Sequence, residues 1–262
     1  MKPRSKRRKR TIWIIIILIV LAIWGIHRYG SLGSRLRGAW NKVIYTSNDN
    51  VAIAVYSPRT RHIYSATNAP GHKFHTASTV KVTILAGLLV KQPNGLTSHQ
   101  YDLAKAMIEQ SDNTSTTLLF NDLGKQQGLQ KAFDEFGMSD SVARKNWGLS
   151  TTTPRDQVKL LNNIFYKSKL LSSQDQNLIG GLMSNVDADQ SWGISADSNH
   201  FAIKNGWLDY GSSKWMVNSI GYVKNSNGTD YTIAIYTDKN STMQTGQQTI
   251  EQLARVTKSL MQ

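Results

Sequence analysis

Ser78 and Lys81 are the residues of this chain best suited to covalent chemistry. They lie three positions apart in the stretch Phe74 to Lys91, where Ala77, Val80, Ile84, Leu85 and Leu88 recur at helical spacing. A helix there would put both on one face, one turn apart. A serine hydroxyl is a poor nucleophile at neutral pH unless an adjacent base takes its proton. A lysine becomes such a base when burial among apolar groups lowers its pKa. A serine in a first turn also meets free backbone N–H groups and the positive end of the helix, both suited to a developing oxyanion. Thr76 is the expected N-cap, and Pro93 with Gly95 the expected stop.

A lone Ser-x-x-Lys arises by chance on many helices, so it needs company to carry weight. Ser111-Asp112-Asn113 follows, behind Ala106-Met107-Ile108, and Lys204-Asn205-Gly206 comes much later, after the strand-like His200 to Ile203. The three stretches stand in the order Ser-x-x-Lys, Ser-Asp-Asn, Lys-[Thr/Ser]-Gly. Over roughly Val51 to Leu260 the chain therefore resembles the class A β-lactamase-like superfamily of penicillin-interacting serine enzymes. The resemblance implies that Ser78 forms an acyl-enzyme, with Lys81 as the nearest base and Ser111 relaying a proton to the leaving nitrogen. It implies that Asp112 holds its loop, Asn113 hydrogen-bonds the substrate amide, and Lys204 favours the substrate carboxylate and tunes Ser111. Gly206 would let a strand approach the substrate, and the backbone N–H groups of Ser78 and Trp207 would form the oxyanion hole. No cofactor and no metal are implied.

Two departures from that pattern matter. Asn205 stands where the third motif usually has a hydroxyl, and an amide there can still donate to a carboxylate, with altered specificity. Gln190 to Ile194, ahead of Lys204 to Trp207, looks like a branch of exported class A-like hydrolases. Class A enzymes also carry a glutamate before the Thr-Thr-Pro helix that activates the deacylating water. Here that segment, Val142 to Ser150, contains no acid. Acylation residues are present and the hydrolytic carboxylate is not. The expectation is a penicillin-binding-protein-like acyl hydrolase, such as a D-Ala-D-Ala carboxypeptidase, acting on peptidoglycan stem peptides or β-lactams. The alternatives are a true class A β-lactamase and a degenerate, non-catalytic peptidoglycan-binding module. A Ser-His-Asp hydrolase lacks its Gly-x-Ser-x-Gly elbow, and His72 with His75 lacks a third ligand at metal spacing.

The elements that must hold these residues are also legible. Val51 to Tyr56 and Ile63 to Ala66, around a Ser57-Pro58 turn, read as a hairpin. Five helical stretches follow between about Ser98 and Ser184, one opened by Thr153-Pro154 with Asp156 in its first turn. Three strands lie near 201–203, 215–223 and 231–236, before a last amphipathic helix carrying Ile250, Leu253, Val256 and Leu260. Strands at both ends with helices between them give one antiparallel sheet flanked by terminal helices, with an all-helical subdomain inserted. This is the mixed α/β (α+β) β-lactamase-like fold of the superfamily, here expected to follow one transmembrane helix.

The 262 residues, 40% apolar, can bury a full core, and the absence of cysteine excludes disulfides, thiol chemistry and a lipidated-cysteine anchor. Seven of the 31 basic residues crowd residues 1–10, directly ahead of the uncharged run Ile12 to Ile26. The reading is a cytoplasmic basic segment (1–10), a transmembrane signal anchor (11–28), a linker (29–47) and a serine hydrolase domain (48–262) outside the cell membrane. A cleaved signal peptide is the competing reading, with a poor small-residue site at Ser31-Leu32-Gly33. The net charge of +14 favours anionic surroundings such as wall polymers. Fusion of the basic block to an apolar span argues against nucleic acid as its partner.

Overall fold

The computed structural model describes residues 4–211 and 214–262, with side chains outside 4–10 and 22–31. Five strands make one antiparallel sheet in the order β2-β1-β7-β6-β5: β1 (Asn50–Ser57), β2 (His62–Thr67), β5 (Phe201–Asp209), β6 (Trp215–Lys224) and β7 (Asp230–Asn240). Both sheet faces are buried, which is why these strands read as nearly continuous apolar runs. In β1 and β7, Val51, Ile53, Val55, Tyr231, Ile233 and Ile235 point to one core, and Ala52, Ala54, Ala234 and Tyr236 to the other.

The first core lies under the terminal helices α1 (Arg4–Ile44) and α8 (Met243–Leu260). Leu36, Trp40, Val43 and Ile44 are buried there with Ile250, Leu253 and Ala254, and Trp40 Nε1 donates to Thr257 Oγ1 at 2.8 Å. The helical piece within the expected linker thus packs on the sheet, ahead of residue 48. The basic segment 1–10 and residues 22–28 of the expected span lie outside the described side chains. Among the described residues no helix is long and apolar enough to cross a membrane.

The second core is built by the inserted helices α2 (Val80–Lys91), α3 (Ser98–Glu109), α4 (Asn113–Leu123), α5 (Lys125–Glu135), α6 (Pro154–Phe165) and α7 (Ser173–Ser184). Helix α2 is buried from Val80 through Leu89, all round its circumference, and so forms the centre of this half. Thr153 caps α6 by accepting from Asp156 N, with Pro154 opening the helix. The insertion is not wholly helical. A two-residue strand β4 (Thr151–Thr152) pairs with β3 (Phe74–His75), a pairing too short to leave a periodic signal.

Candidate active site

The extended pairing of β3 changes how the nucleophile is presented. Phe74 and His75 are held as strand, Thr76 N donates to Ser150 O at 2.8 Å, and Ala77 takes a left-handed φ of 44°. The helix expected from Thr76 therefore opens as a 3-10 turn, Ala77–Thr79, and becomes α-helical only at Val80. A left-handed alanine costs on the order of 1 kcal/mol, and persists because its neighbours are fixed on both sides. Asn218 Nδ2 on β6 donates to His75 O at 2.9 Å, and the Thr79 and Tyr236 hydroxyls meet at 2.5 Å. Ser78 is left half-buried at the rim of the turn.

Gly206 explains why the third motif needs a glycine. A Cβ there would lie 2.7 Å from Ser78 N and 2.9 Å from Thr79 N, closer than any side chain permits. Strand β5, one of the two edges of the sheet, thus lies directly against the nucleophile turn.

Lys81 is fully buried one turn on, and its Nζ donates to Ser111 O (2.6 Å), Ser111 Oγ (3.1 Å) and Asn113 Oδ1 (2.9 Å). Burial lowers its pKa to about 7, helped by the Lys204 charge and opposed by Asp112. Ser111 has a φ of 60°, and Asp112 caps α4 by accepting from Ser115 N at 2.6 Å, which also lowers the Asp112 pKa. Asp112 therefore shapes the loop that points Ser111 and Asn113 at Lys81. No hydrogen bond among the described residues joins Lys81 to Ser78 Oγ. Such nucleophile–base contacts often close only around substrate.

Lys204 lies on the Gly206 face of β5, also fully buried, and burial lowers its pKa to about 7. Among the described residues its Nζ has no hydrogen-bond partner. Asn205 and Trp207 lie on the opposite face by strand alternation. Asn205 is buried, and its Nδ2 donates to Gln190 O and to Trp192 O, both at 2.8 Å. Both amide hydrogens are thus engaged, so the donor expected for a substrate carboxylate is already in use. Ser219 Oγ accepts from Ile194 N at 3.0 Å, and Gly193 has a φ of 94° with no room for a Cβ against Ser219. The 190–194 loop is clamped by these contacts, with the Trp192 ring 6.0 Å from that of Trp207.

The remaining wall is the segment before β4. Trp147 opens a 3-10 turn with its ring centroid 5.2 Å from Lys81 Nζ, and its Nε1 reaches Thr117 Oγ1 at 3.4 Å. Asn146 Oδ1 caps that turn, and His75 Nδ1 contacts Leu149 O at 2.8 Å. His72 instead meets Asp238, so the two histidines do not converge. No hydrogen bond or ion pair among the described residues brings a carboxylate to Ser78 or Lys81. Sequence reading missed Asn218 as a shaping residue; a lone amide inside the apolar run 215–223 was the available signal.

The model of the β-lactamase enzyme family matches residues 86–260, two of the three motifs included, with Ser78 and Lys81 just ahead of the matched span. The chain belongs to this family. It is a serine acyl hydrolase of the β-lactamase and penicillin-binding type. Solved structures share the fold at low identity. A class A β-lactamase representative from Bacteroides cellulosilyticus superposes with a TM-score of 0.77 at 17% identity, covering 87% of this chain and 98% of its own. A β-lactamase from Chitinophaga pinensis gives 0.75 at 16%, over 86% and 98%. A mutant of PBP-A, solved as an acyl-enzyme with penicillin G, gives 0.73 at 20%, over 86% and 96%. No curated protein sequence matches significantly. These structures share the overall fold described above.

Proposed function

We propose that this family member is a penicillin-binding-protein-like acyl hydrolase that acylates on Ser78 and releases its acyl group slowly. The supporting observation is the near-neutral, fully buried Lys81, hydrogen-bonded to Ser111 beside Ser78, with no acid in the 142–150 segment. Ser78 Oγ attacks the donor carbonyl as neutral Lys81 takes its proton, and the backbone N–H groups of Ser78 and Trp207 receive the oxyanion. The acyl–nitrogen or acyl–oxygen bond then breaks, and the proton passes through Ser111 to the leaving atom. Asn113 and Lys204 line the substrate path. The donor we infer is a peptidoglycan stem peptide, with β-lactams as its mimics. The domain would work outside the membrane, anchored by the apolar run of α1 and drawn to anionic wall polymers by its positive charge. External protease on intact cells should then remove the domain and spare a tag before Lys2.

The deciding experiment is intact-protein mass spectrometry after exposure to β-lactams and small activated esters. One acyl mass should appear on the peptide containing Ser78 and none in Ser78→Ala. A missing general base removes about 10²–10⁴-fold from deacylation, so the adduct should persist. No adduct at all would leave a non-catalytic binding module. Many turnovers per second without a trapped adduct would establish the true β-lactamase instead.

A further inference from the structure

The chain enters its folded domain from one end. Helix α1 runs unbroken from Arg4 to Ile44. Ile12 to Leu21 stand 43–62% exposed, outside both cores, whereas Gly33 and Leu36 are buried. Leu32 follows Ile26, where the apolar run ends, by six residues, which as helix rise about 9 Å. The headgroup layer of a bilayer is about 5–7 Å deep on each side. With the apolar run in the membrane, the end of the domain at Leu32 therefore lies at the level of the lipid phosphates. A cavity of about 370 Å³ opens there between Leu32, Pro58 of the β1–β2 turn, Thr229 of the β6–β7 turn and Met261 after α8, with Arg35 and Arg59 on its wall. A Cβ on Gly33 would lie 3.0 Å from Tyr64 Cε1, so α1 is pressed against the hairpin that carries Arg59 and Arg61. Arg37 folds back along α1, its Nη2 3.7 Å from the same point. All four arginines are exposed, and among the described residues none makes an ion pair. Asp230, the acidic side chain on the cavity wall, has its two oxygens engaged by Tyr166 (3.2 Å) and Tyr222 (2.9 Å). Thr60 Oγ1 accepts from Tyr64 at 3.1 Å, which leaves its own proton to donate into the cavity. Cations this near an anionic surface act on it with little screening, since the Debye length at physiological salt is about 8 Å.

We propose that this end of the domain docks on anionic phospholipid: Arg35, Arg37, Arg59 and Arg61 contact headgroup phosphates, and the cavity between Arg35 and Arg59 receives one headgroup. This rests on the anchored reading above and goes beyond it, since an anchor alone leaves the domain free to tilt. Guanidinium suits the partner, because its planar fork of donors matches the oxygens of a phosphate. A wall polymer would meet cations anywhere on the basic surface, whereas the chain itself brings this end to lipid phosphate. A docked domain holds the Ser78 cleft at one height and orientation above the bilayer.

The chain has no cysteine, so a dye on Ser226→Cys reports on the β6–β7 turn alone. A dye on Ser241→Cys reports on the far end of β7, about 30 Å away along the strand. Both positions are exposed. The full chain is reconstituted into vesicles of phosphatidylcholine alone or mixed with phosphatidylglycerol, each holding a headgroup-linked acceptor. In the mixed vesicles energy transfer should be strong from position 226 and weak from 241. Transfer from 226 should fall in phosphatidylcholine alone and in high salt. Arg59→Ala combined with Arg61→Ala should lower the ratio of docked to lifted domain about 25-fold, at about 5-fold per basic residue. Lysine at both positions should keep most of the docking, and native far-ultraviolet circular dichroism in each variant separates lost charge from lost fold. Flotation on phosphatidylcholine vesicles in high salt reads the anchor by itself. Flotation there, with transfer from 226 indifferent to phosphatidylglycerol and to the arginines, keeps the anchor and overturns the docking. Salt-sensitive flotation on the mixed vesicles alone, lost with the arginines, sinks the anchor and keeps the docking. Tighter binding of soluble poly(glycerol phosphate) than of phosphatidylglycerol by the detergent-solubilised chain would give the face to a wall polymer and overturn the lipid assignment.

Discussion

Lys81 and Lys204 stand on the two walls of one cleft, both fully buried and both with pKa lowered to about 7. Burial is the first cause in each case, so titration range does not tell them apart. Hydrogen bonding does. Lys81 has three acceptors at 2.6–3.1 Å, two of them on Ser111, whereas Lys204 Nζ has none among the described residues. A buried ammonium with aimed partners is fixed in place and can exchange protons with the group it touches. One without partners acts on its surroundings through charge alone. Desolvation thus makes both lysines deprotonable near neutrality, and the Ser111 turn makes only one of them a base.

The largest effect that follows is on Lys81. Lys81→Ala should slow acylation of Ser78 by about 10³–10⁴-fold, the upper range for a positioned general base. Lys204→Ala should cost far less, about 10-fold, because it removes a field and not the proton acceptor. Stopped-flow acylation with an activated ester measures both. Equal losses would mean the hydrogen bonds do not distinguish the two.

Next in size is the contact that brings the two walls together. Gly206→Ala places a methyl 2.7 Å from Ser78 N, and that neighbour is backbone, which cannot swing aside. The turn or β5 must shift, and a displacement approaching 1 Å at a reacting group costs about 10²-fold. Acylation of Gly206→Ala should fall by that factor while the far-ultraviolet circular dichroism stays native. Unchanged kinetics would show that the turn and strand are not held in register.

How much of this was legible in the sequence depends on range. The three motifs, the strands and the α6 cap depend on short-range patterns, and the structure contains the strands and helices that they predict. The left-handed Ala77 and Ser111 were not legible, because tertiary packing holds two ordinary residues in a conformation their types disfavour. The same holds for β3 and β4, joined across more than seventy positions by two residue pairs. Asn205 stands in the sequence as the odd residue of its motif. Where its amide points is set by the 190–194 loop, and strand alternation alone, carried from Gly206, would have placed it away from Ser78.

The smallest effect is also the most direct test of charge without contact. Neutral Lys81 is the acylating form, so the rate should rise with pH and be half-maximal near pH 7. Lys204→Met removes a positive neighbour, which favours the protonated form of Lys81 and moves that midpoint upward. The shift should be about half a unit, since desolvation and not Lys204 is the main cause. Stability supplies the second reading. A lysine near 10.5 when unfolded and near 7 when folded binds fewer protons in the native state between those values. Stability should therefore rise with pH from about 7 toward 10, with the whole penalty present below 7. Lys204→Met abolishes its share, so the variant should be the more stable protein at pH 7, by on the order of a few kcal/mol. That advantage should shrink as pH approaches 9.5, before unfolded-state tyrosines begin to titrate near pH 10. Urea melts of both proteins at pH 6.5, 8 and 9.5 measure it. A variant less stable than wild type at every pH would mean that Lys204 has a partner in solution, and the contrast with Lys81 would fall.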